Sequence, residues 1–230
     1  MVTNKGKNFD QDPDAYLSAP RSKDYYQFCY DLFKKHNINS VLDLGCASGD
    51  FLHYLPENIM GLGIDQSAEL IGKANLTRSK ANLNFKLMEI KDIDKFSLEQ
   101  FDAITCHGTL VTIKNCKDTL SQMIRLRPKL VIINDFFNPF DLDIECGYKR
   151  SLKNADNFNY AYNIRSIKTI SNMLSSLCVK RFEFIEYDMS TTLKKNDDPL
   201  RNYHAMVDDK KVLINGLGLI LYGYNLLIFP

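Results

Sequence analysis

Apolar positions along the chain change period several times, and the changes mark out its elements. Between residues 22 and 36, Tyr25, Tyr26, Cys29, Leu32 and Phe33 recur at helical spacing, with Lys34, Lys35 and His36 near the end where the helix dipole favours cations. This predicts an amphipathic helix whose apolar stripe needs a sheet to cover. Short apolar runs then alternate with helical patterns: strands are predicted at 40–44, 59–64, 83–88, 101–106 and 130–134, and helices at 49–54, 68–76 and 117–126. Strict alternation of strand and helix means βαβ units, a parallel sheet covered on both faces and right-handed crossovers.

The last third departs from this rhythm. Residues 136–165 are rich in Asn, Asp and aromatics and lack clean periodicity, which predicts a functional insertion or cap. A helix is expected at 165–178, a strand at 179–187, a polar segment at 194–209 and an apolar strand at 224–229. Asn215 and Gly216 form a turn signal, so a hairpin-like ending with at least one antiparallel strand is expected. Residues 1–24, polar and broken by Gly6, Pro13 and Pro20, read as an N-terminal arm or lid, leaving 25–230 as a single domain.

Composition narrows the class of partner. Hydrophobic residues make up 45% of 230 positions, ordinary for one globular domain with a full core. Lys and Arg total 29 against 28 for Asp and Glu, so the broad basic footprint of a nucleic-acid binder is missing and small or neutral partners are favoured. No apolar run reaches spanning length and no signal-peptide pattern precedes Asp14, so the expectation is a cytoplasmic chain without a membrane span. The six cysteines are scattered singly, without a C-x-x-C pair or a histidine at ligand spacing. They read as buried or free thiols of a reducing compartment, and no metal is expected.

The chemistry concentrates in VLDLGCASGDFL, residues 41–52. Gly45, Cys46, Ala47, Ser48 and Gly49 are all small, and they join a strand to a helix. Such a turn places free backbone N–H groups and a positive dipole end at the carboxyl edge of a parallel sheet, where ligands of open α/β sheets bind. Glycine at 45 and 49 would let a ligand lie against the main chain, and Asp43 is placed to brace the turn by accepting its N–H bonds. A ligand-free tight turn does not need the whole small-residue set. Asp65 ends the next strand, twenty positions beyond Gly45, where a carboxylate accepts both hydroxyls of a ribose; its other reading is a helix N-cap beside Ser67. The ligand therefore reads as a nucleoside.

The turn is Asp43-x-Gly45-x-Ala47-x-Gly49, not the G-x-G-x-x-G that cradles a pyrophosphate. It resembles motif I of the class I S-adenosylmethionine-dependent methyltransferases, with Ala47 in place of the middle glycine. The resemblance covers about residues 38–135 and continues more weakly to the end. It implies an α/β, Rossmann-like, doubly wound seven-stranded sheet, mostly parallel with antiparallel C-terminal strands, and S-adenosylmethionine (SAM) as cofactor with S-adenosylhomocysteine (SAH) as product. Its cofactor contacts would fall on Asp43, Gly45, Cys46, Ala47 and Gly49, on Asp65 with Gln66, and on Glu89 with the backbone of Ile90 at the adenine, Asp92 competing with Glu89. Cys106, His107, Gly108 and Leu110 would line the loop after the fourth strand. The closing pattern, DPLRNY followed by NGLGLIL and YNLLIF, looks like methyltransferases encoded with bacterial surface-polysaccharide genes, which implies a small or glycan-type acceptor, O-methylated in preference to N-methylated.

Methyl transfer mainly needs two partners held aligned and dry, and a hydroxyl acceptor also needs a base for its proton. Four histidines exist. His107, just past the fourth strand, is the first candidate for base or substrate contact, its alternative being a polar wall of the cofactor pocket. His204 is the second; His36 fits a helix terminus and His53 a solvated helix face. Asp135, after the fifth strand, points to the same edge or caps a turn. Arg21 in the arm would match the cofactor's carboxylate bidentately, or is a surface arginine. Tyr16, Tyr25, Tyr148, Tyr160 and Tyr162 are candidates for an acceptor pocket or for partial core. Two other classes stay open: a nicotinamide-dependent oxidoreductase on a similar fold, and a non-catalytic module that keeps the cofactor pocket.

Overall fold

The apolar runs pair into one seven-stranded sheet in a computed structural model that describes residues 23–149, 159–195 and 201–230. In chain order the elements are α1 (Asp24–Lys35), β1 (Ser40–Leu44), α2 (Asp50–Tyr54), β2 (Met60–Asp65), α3 (Ala68–Thr77), β3 (Leu83–Leu87), β4 (Ala103–His107), α4 (Cys116–Arg125) and β5 (Leu130–Phe136). There follow β6 (Ile144–Lys149), β7 (Asn159–Ile164), α5 (Ile167–Ser176), β8 (Arg181–Glu186), β9 (Tyr203–Val207), β10 (Lys210–Ile214), β11 (Ile220–Leu221) and β12 (Gly223–Phe229). Two short 3-10 turns, Ile90–Lys95 and Leu110–Thr112, follow β3 and β4.

The sheet order is β3-β2-β1-β4-β5-β12-β8. The first five strands are mutually parallel. The C-terminal strand β12 inserts antiparallel between β5 and β8, so β8 runs with the parallel set and ends at the same carboxyl edge. The order reverses between β1 and β4, and ligands of open α/β sheets bind at the carboxyl ends of such a switch point.

Each strand divides its side chains between two cores, as a period of two requires. Val41, Ala103 and Ile132 join Tyr26, Phe33 and Phe51 beneath α1 and α2. Leu42, Leu44, Ile104, Val131 and Ile133 join Leu120, Met123 and Ile170 beneath α4 and α5. The same parity sorts the polar tips. Asp43, Asp65, Thr105, His107 and Asn134 belong to the α1 face, whereas Asp135 belongs to the α5 face with Val131 and Ile133.

Two regions differ from the sequence reading. Residues 136–165 contain the antiparallel pair β6–β7, and the stretch read as polar at 194–209 contains β9, which joins β10 and β11 in a separate three-stranded sheet. These strands are mostly half-exposed, so apolar and polar positions do not alternate cleanly. The Asn215 turn does form, but it joins β10 to β11 and does not lead into the final strand: Asn215 Oδ1 accepts the N–H of Leu217 and of Leu219, each at 3.1 Å. Val111, Tyr162, Ile164 and Leu221 form a third small core, which packs the two excursions together beside the tips of β4 and β5. Of the arm read at 1–24, residues 1–22 lie outside the described residues, while Lys23 and Asp24 are the N-cap and first residue of α1. Among those described, no helix is long and apolar enough to cross a membrane.

Candidate functional site

The turn after β1 alternates its backbone hand. Gly45, Ala47 and Gly49 have φ of 72°, 49° and 81°, all in the left-handed region that glycine enters without cost. The N–H groups of Gly45 and Cys46 both donate to the Ile64 carbonyl, at 2.9 and 3.0 Å, and that of Gly49 to the Cys46 carbonyl at 2.9 Å. The Ala47 N–H donates to Asp65 Oδ2 at 3.0 Å, while Asp65 Oδ1 accepts from the Ser67 N–H at 2.8 Å. Asp65 thus ties the turn to the start of α3, where Ser67 is the N-cap. Burial raises the Asp65 pKa, and the N–H bonds oppose that rise.

Asp43 does not brace the turn as expected. Only 3% exposed, it accepts the Thr105 hydroxyl at 2.8 Å, and the bracing falls instead to Asp65 and the Ile64 carbonyl. Burial pushes the Asp43 pKa up to about 7, and the Asp65 charge adds to the rise. The small residues also have an internal reason. A Cβ on Gly45 would stand 2.4 Å from Thr109 Oγ1, and one on Gly49 would stand 2.4 Å from the Phe85 ring. Cys46 turns its thiol into the α1-side core beside Gly63, so it meets the edge through its backbone alone.

Helix α2 has five residues and no side-chain cap, too short to fix its own direction. A buried ion pair holds it: Arg78 Nε donates to Asp50 Oδ1 at 2.8 Å, with both side chains under 10% exposed. His53 Nδ1 meets the Arg78 carbonyl at 3.3 Å on the same helix, so it is not the solvated residue its pattern suggests.

At the tip of β4, His107 stands beside Asn134, its register partner on β5. Neither His107 ring nitrogen has a hydrogen-bond partner among the described residues, and both are shut from solvent. Its ring packs on Tyr25, centroids 4.6 Å apart, and on Phe51 at 4.7 Å. Burial, and after it the Lys23 charge, lower its pKa to about 3, so the imidazole is neutral. Asn134 Nδ2 donates to Asn225 Oδ1 at 2.9 Å.

The remaining candidates lie elsewhere. Asp135 faces the opposite layer, where its oxygens accept the N–H groups of Val111 at 2.9 Å and Phe136 at 2.8 Å; burial raises its pKa to about 6. His204 is on β9, with Nδ1 accepting the Leu193 N–H at 2.8 Å. Glu89 and Ile90 stand where β3 gives way to a 3-10 turn, Glu89 paired to Lys91 and Asp92 to Lys95. Gln66 is exposed beside Asp65, and the Cys106 thiol is enclosed in the α5-side core. Arg21 and Tyr16 lie outside the described residues, as do the side chains of Tyr148 and Tyr160; Tyr162 is in the third core. Sequence reasoning missed Thr105, Phe51, Asn134 and the Asp50–Arg78 pair. Strand parity could have found Thr105 and Asn134; the ion pair spans 28 positions and leaves no local signal.

Residues 35–139 match the family described as methyltransferase domain. This segment of the chain resembles a methyltransferase domain. Among solved structures, the N-terminal domain of EvdMO1 with SAH bound aligns at a TM-score of 0.60 and 11% identity, covering 90% of this chain and 82% of that one. A putative S-adenosylmethionine-dependent methyltransferase from Listeria monocytogenes aligns at 0.58 and 14%, covering 87% and 97%. A SAM-dependent methyltransferase from Methanosarcina mazei aligns at 0.58 and 15%, covering 86% and 96%. These likenesses speak for the fold. No curated protein sequence matches the chain.

The carboxyl edge has features that fit a nucleoside cofactor. Ser48 Oγ, in the turn itself, and both His107 nitrogens are buried polar atoms without a partner among the described residues, and such atoms in a folded protein call for an explanation. A carboxylate offers about four acceptor positions, so Asp65 keeps acceptor capacity after its two N–H bonds.

Proposed function

We propose that the domain is an active methyltransferase that uses SAM and methylates a hydroxyl of a small or glycan-type acceptor. The observation that carries this reading is the left-handed turn after β1 with the Asp65 carboxylate at the neighbouring tip and the unpartnered His107 imidazole on the same face. SAM supplies a methyl group already activated by its sulfonium. The chain's own part is to bind, orient and handle one proton.

In this reading Asp65 takes the ribose hydroxyls, Gly45 to Gly49 run along the cofactor's amino-acid tail, and Glu89 with the Ile90 backbone borders the adenine. Arg21 would pair with the cofactor carboxylate. His107 faces the acceptor, with the small sheets at the β4 and β5 tips as the cap that shapes its pocket. Its low basicity suits oxygen better than nitrogen. A hydroxyl oxygen that has taken a methyl becomes strongly acidic, so a weak neutral base suffices to remove its proton. An amine must lose its proton before it attacks, which asks for a stronger base. The closing sequence pattern supports an acceptor made for surface polysaccharide, and a cytoplasmic site of action goes with it.

Thermal unfolding with SAM, SAH and NADH tests the reading. SAM or SAH at a hundred times its dissociation constant should stabilise the protein by about 2.7 kcal/mol, with NADH inert. Product mass spectrometry over a panel of nucleotide sugars and glycans should then find a methylated hydroxyl. Stabilisation by NADH alone, or by none of the three, sinks the assignment; SAM binding without any product leaves a non-catalytic module.

A further inference from the structure

A histidine that handles protons is ordinarily oriented by a hydrogen bond that one ring N–H donates to a carboxylate or a carbonyl. His107 has no such bond among the described residues, so something else must fix its χ angles. Its ring contacts are the available means. Tyr25 lies against it at 4.6 Å with the planes 40° apart, and Phe51 meets it edge-on at 4.7 Å and 75°. Tyr25 is itself held on several sides, by edge contacts to Tyr26 at 4.8 Å and to Tyr187 at 6.0 Å.

The backbone that carries Tyr25 is fastened across the carboxyl edge. Asp24 Oδ2 accepts the Ser190 N–H at 2.7 Å, and a backbone hydrogen bond from Tyr25 reaches Tyr187. Tyr187 and Ser190 follow β8, whose exit is at the ligand edge. The first turn of α1 is therefore stretched from the β8 exit to the β4 tip, and Tyr25 is where it touches His107.

We propose that Tyr25, with Phe51 as a second wall, is the positioning residue of His107, holding the imidazole by ring packing in place of a hydrogen bond. This rests on the reading of His107 as the residue that faces the acceptor. Packing of this kind commits neither ring nitrogen to a partner among the described residues, and an orienting hydrogen bond would occupy one of them. Aromatic pairing acts beyond burial and favours one ring orientation severalfold. The Tyr25 hydroxyl, 3.4 Å from Lys23 Nζ, has no part in this. Lys23 is the charge that acts on the imidazole, and Tyr25 is the other titratable group against it.

The test compares Tyr25→Phe, which keeps the ring, with Tyr25→Leu, which keeps apolar bulk and removes it. Imidazole proton NMR follows the four histidines, and His107→Gln assigns the signal. Wild type and Tyr25→Phe should hold the His107 signal unshifted through mildly acidic pH, whereas in Tyr25→Leu it should titrate towards the ordinary value of about 6.5. Turnover should fall about tenfold in Tyr25→Leu and stay within about twofold in Tyr25→Phe, with SAM affinity unchanged in both. Should Tyr25→Leu not fold, Phe51→Leu removes the second wall and is read in the same way. A ring-less variant with wild-type His107 titration, or a Tyr25→Phe loss as large as that of Tyr25→Leu, overturns the proposal. If the wild type turns over no acceptor, the functional reading fails by itself, while the NMR arm still decides the positioning role.

Discussion

The two halves of the carboxyl edge are finished to different degrees. At the tips of β1 and β2, Asp65 receives two backbone N–H groups, Asp43 receives the Thr105 hydroxyl, and the Gly45, Cys46, Ala47 and Gly49 N–H groups have partners. At the tips of β4 and β5, His107 has a ring held by rings and two nitrogens without partners, and Asp135 has turned to the other layer. On the proposed function, the first half is a mould set before its ligand arrives, and the second is a set of polar groups that a ligand has still to complete. That fits a protein in which one bound molecule is constant and the other is chosen by the cap.

Removing the carboxylate that sets the mould should break the contrast most. Asp65→Ala deletes the carboxylate proposed to accept the ribose hydroxyls and also releases the Ala47 and Ser67 N–H groups. Hydrogen bonds to a charged group contribute about 1.5 to 3 kcal/mol each, so SAM binding should weaken by roughly a thousandfold in calorimetry. Wild-type affinity in this variant would remove the site from β1 and β2 altogether.

His107→Gln probes the other half. With ring packing kept only in part and the proposed base gone, kcat should drop about a hundredfold, the lower end of what a general base contributes, while SAM affinity stays within about twofold. A fall in affinity with unchanged kcat would move His107 into the cofactor pocket as a polar wall.

The same contrast explains what could be read from the chain. The inner strands β1, β4, β5 and β12 are buried on both faces, so their apolar runs are nearly continuous. Asp65 was legible because a strand tip and a fixed distance from the turn place it. The partners of Asp43 were not, since Thr105 lies 62 positions away and only strand pairing brings it near. Asp135 was assigned to the site by its position after β5, and a single residue of parity carries it to the other face. The small sheets at 144–164 and 203–221 escaped because half-exposed strands that share a core only with each other carry no strong period.

A third experiment asks whether the mould stores strain. Asp43 is buried with one hydrogen bond, and its folded pKa of about 7 lies well above the unfolded value of about 3.9. The folded state therefore holds the extra proton between these values. Stability from this group is fully present below about pH 4 and is lost as pH rises through about 7. His107 acts in the opposite sense: its pKa is about 3 folded and about 6.5 unfolded, so its contribution is lost as pH falls below about 6.5. Asp43→Asn should remove the first effect alone. Urea denaturation should show the variant gaining on wild type by about 3 kcal/mol between pH 4.5 and pH 8. A difference that does not change with pH would mean that Asp43 ionises normally, with water reaching the tip of β1.

The smallest expected effect is at Ala47, where the turn departs from an all-glycine pattern. The sequence suggests that its methyl group costs room, but the structure locates the cost in the backbone, with φ at 49°. A left-handed conformation costs a non-glycine residue about 1 to 2 kcal/mol. Ala47→Gly relieves that strain, and the greater freedom of glycine in the unfolded chain takes back about 0.5 to 1 kcal/mol. The net gain should be about 0.5 kcal/mol in chemical denaturation, with the Ala47 N–H still bonded to Asp65 and SAM affinity within about twofold of wild type. A stabilised protein that binds SAM markedly less well would show that the methyl group touches the ligand. The alanine would then be part of the mould's surface as well as its backbone, and the completed half of the edge would owe its shape to that side chain too.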